Sequence, residues 1–147
     1  MTNIRIIVGS ETGTALDVAD ALEETLAANG CQVAVAEKPT LADLEHAEEV
    51  LLICTSSTGA GEFPSNIRPF VAALQATPPN IAGRRYGVIS LGDSSFNTYA
   101  AAATALDHAL SDIGAVRVGE PLLIDAMETF NPDREATAWA SQWVTQL

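Results

Sequence analysis

Short apolar runs alternate along this chain with longer segments of helical periodicity, and this alternation constrains the fold more than any other feature. Five runs are predicted to be strands because residues on both sides of the pleat are apolar: Ile4–Val8, Gln32–Ala36, Val50–Cys54, Tyr86–Leu91 and Val116–Ile124. Strands of this kind must be covered on both faces, as they are in parallel sheets.

Helical patterns separate these strands. The predicted helices are Thr14–Ala28, Ser65–Leu74, Thr98–Ile113 and Asn131–Leu147, with a weaker pattern, little more than a turn, over Leu41–Glu49. This order predicts an α/β fold, a doubly wound sheet of five parallel strands with helices on both faces. Because no repeat, linker or low-complexity tract interrupts the alternation, residues 1–147 are expected to form one domain.

The charge balance narrows the classes of partner. The chain carries 19 Asp and Glu against 7 Lys and Arg, a formal net charge of -12. Such a surface repels nucleic acid and anionic membranes, so neither is expected as a partner. It would attract a protein with a basic face, although acidity also serves solubility alone.

The cellular compartment is predicted from the first residues of the sequence, the length of its apolar runs and its two cysteines. The chain starts almost directly with a strand, without a signal peptide, and no apolar run reaches the length of a membrane span. Cys31 and Cys54 form no CxxC motif and have no neighbouring histidine, so they are expected to be reduced thiols rather than a metal site. These features predict a cytoplasmic protein.

Three polar loops follow the first, third and fourth strands, where the carboxyl ends of an open parallel sheet form a ligand site. The first loop, Gly9-Ser10-Glu11-Thr12-Gly13-Thr14, leads into a helix, so its amides and hydroxyls are suited to a phosphate. It lacks the Lys-Ser/Thr pair of a Walker loop and the spacing of a GxGxxG motif. Helix capping alone is the alternative explanation for this loop.

The other two loops favour a planar ligand. The second, TSSTGAGEFPSN at residues 55–66, can lay backbone groups against a heterocycle, and the third adds Phe96 and Tyr99. Either ring could be an ordinary core residue, but both lie in one polar loop at the expected ligand edge. We therefore interpret them as stacking residues.

These loops resemble those of the flavodoxin family, and the resemblance covers essentially the whole chain. GSETGTA at residues 9–15 is similar to the loop that holds the FMN phosphate. TSSTGAGEFPSN and LGDSSFNTY, at residues 55–66 and 91–99, are similar to the two loops that flank the flavin ring. The uninterrupted last strand resembles that of short-chain flavodoxins, with MioC-type members the most similar. The resemblance implies the strand order 2-1-3-4-5, FMN as cofactor, and a role as a single-electron carrier.

The resemblance also implies which residues contact FMN. They are Ser10, Glu11, Thr12, Gly13, Thr14, Thr55, Ser56, Ser57, Thr58, Gly59, Ala60, Gly61, Leu91, Gly92, Asp93, Phe96, Asn97, Tyr99 and Asp125. Phe96 would be the stacking ring, and Glu11 is expected to offer only its amide while its side chain points to solvent. The chain departs from the pattern at Ala15, where many members have a hydroxyl, and at Thr58, where many have an aromatic ring.

No nucleophile–base pair occurs in these loops, and His46 and His108 lie outside them. The redox chemistry would therefore belong to the flavin, without a catalytic side chain or a metal. The loops contain no lysine or arginine, which predicts a low reduction potential because no cation offsets the added electron.

The expected partners of this monomer are a basic-faced, pyridine-nucleotide-dependent flavodoxin reductase and an acceptor enzyme not specified by the sequence. Glu62, Asp93 and Glu128 are the predicted rim charges for docking. The alternative function is a flavodoxin-like NAD(P)H-dependent quinone or FMN reductase. A phosphoryl-signalling receiver is disfavoured because Gly9, Ser10 and Thr55 stand where its acidic residues would be, and a flavin-free module is the remaining alternative.

Overall fold

The computed structural model describes residues 2–58, 61–94 and 100–147. The strands in these ranges are β1 (Asn3–Gly9), β2 (Gln32–Ala36), β3 (Glu49–Ser56), β4 (Arg85–Gly92), β5 (Val116–Arg117) and β6 (Leu122–Asp125). The α-helices there are α1 (Thr14–Ala28), α2 (Arg68–Ala76), α3 (Ala101–Asp112) and α4 (Pro132–Trp143), with 3-10 turns at Leu41–Leu44 and Val144–Gln146. Among these described residues, no helix is long and apolar enough to cross a membrane.

All strand pairs of the sheet are parallel, and the order is β2-β1-β3-β4-β5, with β6 also paired to β4. The order reverses between β1 and β3, which places the crevice for a ligand at their carboxyl ends. The predicted α/β fold and its strand order are confirmed.

Alternate residues of the central strands pack into two separate cores, one on each face of the sheet. One core combines Ile6, Val8 and Leu52 with buried residues of α1 and α4. The other combines Ile7 and Ile53 with buried residues of α2 and α3. Because both faces are covered, the central strands are apolar at nearly every position, which is the pattern that made them visible in the sequence.

The last strand differs from its prediction as one run over Val116–Ile124. Gly119 has a φ of 74° and turns the chain between β5 and β6, and Pro121 has no amide to donate to a ladder. The indole of Trp143 donates to the Val118 carbonyl at 3.0 Å, and that of Trp139 donates to the Glu120 carbonyl at 3.3 Å. Helix α4 thus satisfies the backbone groups where the strand is broken.

The observed helices α2 and α4 also begin later than predicted, because polar side chains before them form hydrogen bonds outside the helix or cap it. Helix α2 starts at Arg68 rather than Ser65, because Ser65 and Asn66 hydrogen-bond across the sheet edge. Helix α4 starts at Pro132, and the Asn131 side chain caps it by accepting the Arg134 amide at 3.1 Å. The predicted helix over Leu41–Glu49 is only the 3-10 turn, and Glu49 belongs to β3.

Candidate ligand-binding site

A cavity of about 480 Å³ opens at the carboxyl edge of the sheet, between the ends of β1, β3, β4 and β6. Its lining residues are Glu11, Thr12, Thr14, Ser56, Ser57, Thr58, Leu91, Gly92, Asp93, Ile124, Ala126, Thr129 and Pro132. The structure therefore brings together residues of all three loops singled out in the sequence. No lysine or arginine is among these described lining residues.

The first loop begins at Gly9, where no side chain can be accommodated. A Cβ atom there would lie 2.1 Å from Thr55 Oγ1 and 3.2 Å from Ile67 Cγ2, so β1 and β3 approach closely only because residue 9 is glycine. Thr55 itself is fully buried, and its hydroxyl donates to the Ser56 carbonyl at 3.0 Å. The Thr55 side chain thus supports the loop from below and does not line the cavity.

The loop presents an uncapped helix terminus to the cavity. Gly13, the residue before α1, has a φ of 95° and no side chain caps the helix, so the first-turn amides stay available. Within the described residues, the amides of Glu11 and Thr12 have no hydrogen-bond acceptor either. Helix capping, the alternative explanation for the loop, is therefore not its role, and the converging amides suit an anion.

Ser10 lies on the other side of this loop. Its hydroxyl accepts the Gly13 amide at 2.9 Å, which stabilises the turn from within. Ser10 and Gly13 border a smaller cavity of about 260 Å³. The remaining residues lining this second cavity are Val8, Leu16, Glu37, Lys38 and Asn66. The fold thus brings Lys38, from the segment after β2, behind the first loop, a position that no motif indicated.

Glu11 does not simply point to solvent, as the sequence predicted. Its carboxylate accepts both the amide and the hydroxyl of Ser65, each at 2.7 Å, although the residue remains exposed. These bonds favour the ionised form and lower the pKa of Glu11. Glu11 therefore connects the first loop to the second.

Asn66 makes a second connection between the same two loops. Its Oδ1 accepts the Ser10 amide, and its Nδ2 donates to the carbonyls of Val8 and Glu37, each at 2.8 Å. One amide side chain thus joins the end of β1, the segment after β2, and the second loop. The sequence motif included Asn66 but assigned it no role; an asparagine in a polar loop immediately before a helix was the available signal.

The second loop turns back on itself beside the cavity. Thr58 and Glu62 form an antiparallel bridge, in which the Thr58 amide donates to the Glu62 carbonyl at 2.9 Å. Gly61 has a φ of 90° within this turn and is absent from the cavity lining, whereas Ser56, Ser57 and Thr58 line it. The predicted contacts at Gly59 and Ala60 lie outside the described residues.

The third loop contributes Leu91, Gly92 and Asp93 to the cavity wall. The predicted stacking ring Phe96, and with it Asn97 and Tyr99, lies outside the described residues, so stacking remains a prediction. The segment is anchored through Ser94, whose amide donates to Asp125 Oδ1 at 3.0 Å.

Asp125 holds loops together rather than lining the cavity. It accepts the amides of Ser94 and Met127, and hydrogen bonds from Ser94 and then Met127 lower its pKa. Its neighbours Ile124 and Ala126 line the cavity instead, together with Thr129 and Pro132. The sequence did not identify this last wall, although it follows a strand that ends at the same edge.

The two histidines and the two cysteines of the chain are not part of the cavity lining. His46 and His108 are exposed and away from the lining, and no cluster of metal-binding side chains occurs in the described ranges. Cys31 and Cys54 are free, buried thiols. Cys54 Sγ donates to the Ala15 carbonyl at 3.6 Å beneath α1, and burial raises its pKa to about 12.

The residues fit FMN, the cofactor that the resemblance implies. The cavity lining includes residues of the first loop, whose open amides and hydroxyls suit a phosphate. It also includes Leu91, Ile124, Ala126 and Pro132, whose apolar surfaces suit a planar ring. The volume is within the usual range of about 300–1,000 Å³ for small-molecule sites.

Known proteins are similar to this chain over its whole length. The family model described as Flavodoxin matches residues 6–139. Flavodoxin YqcA of Escherichia coli (strain K12) is 40% identical over 151 residues, covering 100% of this chain and 99% of the relative. Protein MioC of the same organism is 35% identical over 147 residues, covering 100% and 99%. The solved structure of a single-residue mutant of flavodoxin from Pseudomonas aeruginosa has a TM-score of 0.93 at 32% identity, covering 99% of both chains.

Proposed function

This chain belongs to the flavodoxin family, and we propose that it carries single electrons at low potential from a pyridine-nucleotide-dependent reductase to acceptor enzymes. It is an FMN-binding electron carrier, and the alternative of an NAD(P)H-dependent quinone or FMN reductase is not favoured by its family. The observation that carries the proposal is the cavity at the sheet edge, whose lining combines the loop before the uncapped helix α1 with apolar side chains.

The first loop would hold the phosphate through backbone and hydroxyl donors. The donors proposed for this role are the amides of Glu11 and Thr12, the amides of the first turn of α1, and the hydroxyls of the lining residues Thr12 and Thr14. Ser10 and Gly13 would act by shaping the turn, through their hydrogen bond at 2.9 Å.

The second and third loops would hold the ring. Ser56, Ser57 and Thr58 form one wall and Leu91, Gly92 and Asp93 another. FMN, when bound, supplies the ability to accept and release electrons one at a time. Phe96, Asn97, Tyr99, Gly59 and Ala60 are proposed to complete these walls, as the resemblance implies.

The low potential follows from charge. The described cavity lining includes the carboxylates of Glu11 and Asp93 but no lysine or arginine, so an added electron meets negative charge. The hydrogen bonds from Ser65 lower the pKa of Glu11 and so keep it ionised to lower pH. No side chain of this chain is proposed to act as a catalytic acid or base.

We expect a cytoplasmic monomer that forms one domain over residues 1–147, and docks on basic faces of its partners. Of the predicted rim charges Glu62, Asp93 and Glu128, Glu62 lies 3.8 Å from the Arg68 guanidinium and is partly neutralised by it. Glu128→Lys should therefore slow reduction by such a reductase at low salt more than Glu62→Lys, and salt should diminish the difference.

One reconstitution experiment tests the proposal. The purified protein is incubated with FMN or with riboflavin, desalted, and examined by absorbance and by spectroelectrochemical titration. We expect one FMN per chain, weaker retention of riboflavin, and two separate one-electron steps at low potential. Failure to retain FMN would contradict the cofactor assignment. Coincident steps, or oxidation of NADPH by the protein alone, would contradict the carrier function.

A further inference from the structure

The segment after β6 is a turn with a well-defined backbone. Asp125 accepts three amides of this segment: its carbonyl accepts those of Glu128 and Thr129, at 3.0 and 3.1 Å, and its carboxylate accepts that of Met127 at 2.9 Å. The Thr129 hydroxyl then accepts the Asn131 amide at 3.2 Å, before Asn131 caps α4. These bonds determine the directions in which the side chains of the turn point.

The turn has two faces of different character. Ala126, Thr129 and Pro132 line the large cavity. Met127 and Phe130, displaced by one position from these, project into solvent, with 64% and 106% of their surface exposed. Phe130 is therefore as open as in an extended chain, immediately beside the site. Two large apolar side chains exposed on one turn and flanked by polar residues are the kind of apolar surface that marks an interaction site.

Acidic residues accompany this pair. Glu128 lies between the two apolar residues, and Asp133 and Glu135 follow in the first turn of α4, with Arg134 as the one opposing charge between Asp125 and Glu135. Asp93 lines the same cavity. The surroundings are therefore net acidic, which favours a partner with basic residues around an apolar patch. A second copy of this chain is disfavoured, because each copy has a formal net charge of -12.

We propose that Met127 and Phe130 are the apolar anchor on which an electron-transfer partner docks, with lysines and arginines of that partner facing the acidic residues around them. This inference rests on the proposed carrier function. The anchor would determine how long the complex lasts, whereas the acidic residues would determine the rate of encounter and its dependence on salt. Docking here would place the partner beside the cavity that is proposed to hold FMN, because Ala126 and Thr129 of the same turn line it.

The test uses the FMN-loaded protein with Phe130→Ser, Met127→Ser and the double substitution. Val116→Ser is the matched control, because Val116 is an apolar side chain 53% exposed at the opposite end of the sheet, paired with Arg85. The probe is a purified NADPH-dependent flavodoxin reductase with a basic face. We measure its Kd and its KM for each variant at several salt concentrations.

Phe130→Ser should raise the reductase Kd and KM by about ten-fold, Met127→Ser by less, with an unchanged salt slope. Glu128→Gln should instead flatten the salt slope. FMN affinity and thermal unfolding should match the control in every variant. A Kd for Phe130→Ser equal to that of Val116→Ser overturns the proposal. So does weaker FMN binding in Phe130→Ser, which would mean that the ring covers the cofactor, or a wild-type dimer that this substitution dissociates.

The failure of this inference is distinguishable from the failure of the carrier function. If the wild-type protein retains FMN and is reduced by the reductase, but the anchor variants behave like the control, only the docking inference is wrong. If the wild-type protein itself fails to retain FMN or to accept electrons, the proposed function is wrong.

Discussion

The two edges of the sheet use their carboxylates in different ways. At the amino edge, Arg5 of β1 donates to Glu49 at 2.7 Å and to Asp43 at 3.0 Å, so each acid is paired with a cation. At the carboxyl edge, Glu11 and Asp125 accept backbone amides of other loops instead. Amides hold these carboxylates without cancelling their charge.

The carboxylates of the two edges therefore have different roles. Those of the amino edge stabilise the fold, whereas those of the carboxyl edge give the ligand site its negative charge. The ion pairs of the amino edge join the 3-10 turn to β1 and β3 and offset part of the negative charge there. The amide-bound acids of the carboxyl edge organise the loops and keep them negative, and their lowered pKa values extend that charge to lower pH. The ligand edge is thus rigid and anionic at once, which suits a low-potential carrier.

The largest effect on stability and FMN binding is expected at Gly9, where β1 and β3 approach each other closely at the carboxyl edge. Gly9→Ala places a Cβ 2.1 Å from Thr55 Oγ1 and 2.9 Å from Thr55 Cβ. Unfolding free energy should fall by about 3 kcal/mol and FMN binding should be lost. Urea unfolding and FMN titration measure both. Gly83→Ala is the control, since its φ of 83° is strained but no atom lies within 4 Å. An equal loss in both variants would contradict the close approach at Gly9.

The next effect should be confined to stability. Arg5→Gln removes the cation shared by Asp43 and Glu49, and the Arg5 side chain is only 17% exposed. Unfolding free energy should fall by about 1–2 kcal/mol, because two carboxylates lose their partner. FMN affinity should stay the same, with the exposed Arg85→Gln as the matched variant. A changed FMN affinity in Arg5→Gln but not in Arg85→Gln would contradict the conclusion that the two edges have separate roles.

Glu11→Ala should affect the site more than the stability of the fold. It removes both bonds to Ser65, so FMN affinity should fall by about five-fold, whereas Glu24→Ala on the exposed side of α1 should leave it unchanged. Fluorescence titration of FMN measures both. Higher FMN affinity in Glu11→Ala would mean that repulsion of the phosphate outweighs the connection between loops.

The same carboxylate predicts a pH dependence. The pKa of Glu11 is lower in the folded chain, so its contribution is present above its unfolded pKa, near 4.3, and is lost as pH falls through the lower folded value. The acid-induced decrease in Tm over this range should be smaller in Glu11→Ala than in Glu24→Ala. Identical acid profiles would contradict the assignment of this charge to the hydrogen bonds with Ser65.

A smaller effect should appear in the potential of the FMN-loaded protein. Asp93→Asn removes one negative charge from the cavity wall and should raise the second one-electron potential by on the order of tens of millivolts. Glu48→Gln, an exposed change of equal charge next to β3 at the amino edge, should leave the potential unchanged. Equal shifts would mean that total charge, not its position, sets the potential.

The smallest expected effect concerns the single lysine of the chain. Lys38 borders the cavity behind the first loop and would attract the FMN phosphate across that loop. Lys38→Gln should weaken FMN binding by about two-fold at low salt, without affecting riboflavin, and the effect should disappear as salt screens it. Arg85→Gln, at the amino edge, should change neither the FMN affinity nor its dependence on salt.

Sequence patterns were sufficient where a structure is local. Helix α1 has the predicted bounds Thr14–Ala28, and β2 those of Gln32–Ala36, because periodicity reports which side chains are buried. Gly9 and Gly13 were recognised in the first loop because turns and close approaches select glycine. The predicted last strand was too long, because the turn at Gly119 and Pro121 was not recognised within an apolar run. The hydrogen bonds from Trp139 and Trp143 that satisfy the carbonyls of this turn come from another helix.

By itself, the sequence determined the alternation of strands and helices, the order of the sheet through its family motifs, and the loops that form the ligand edge. Only the tertiary structure decided that Glu11 binds Ser65, 54 residues away, that Asn66 joins three segments, and that the turn after β6 forms the last wall. The physical reason is the separation in sequence between the residues that interact. Periodicity records burial within one element, whereas hydrogen bonds between loops depend on where the completed sheet places their ends.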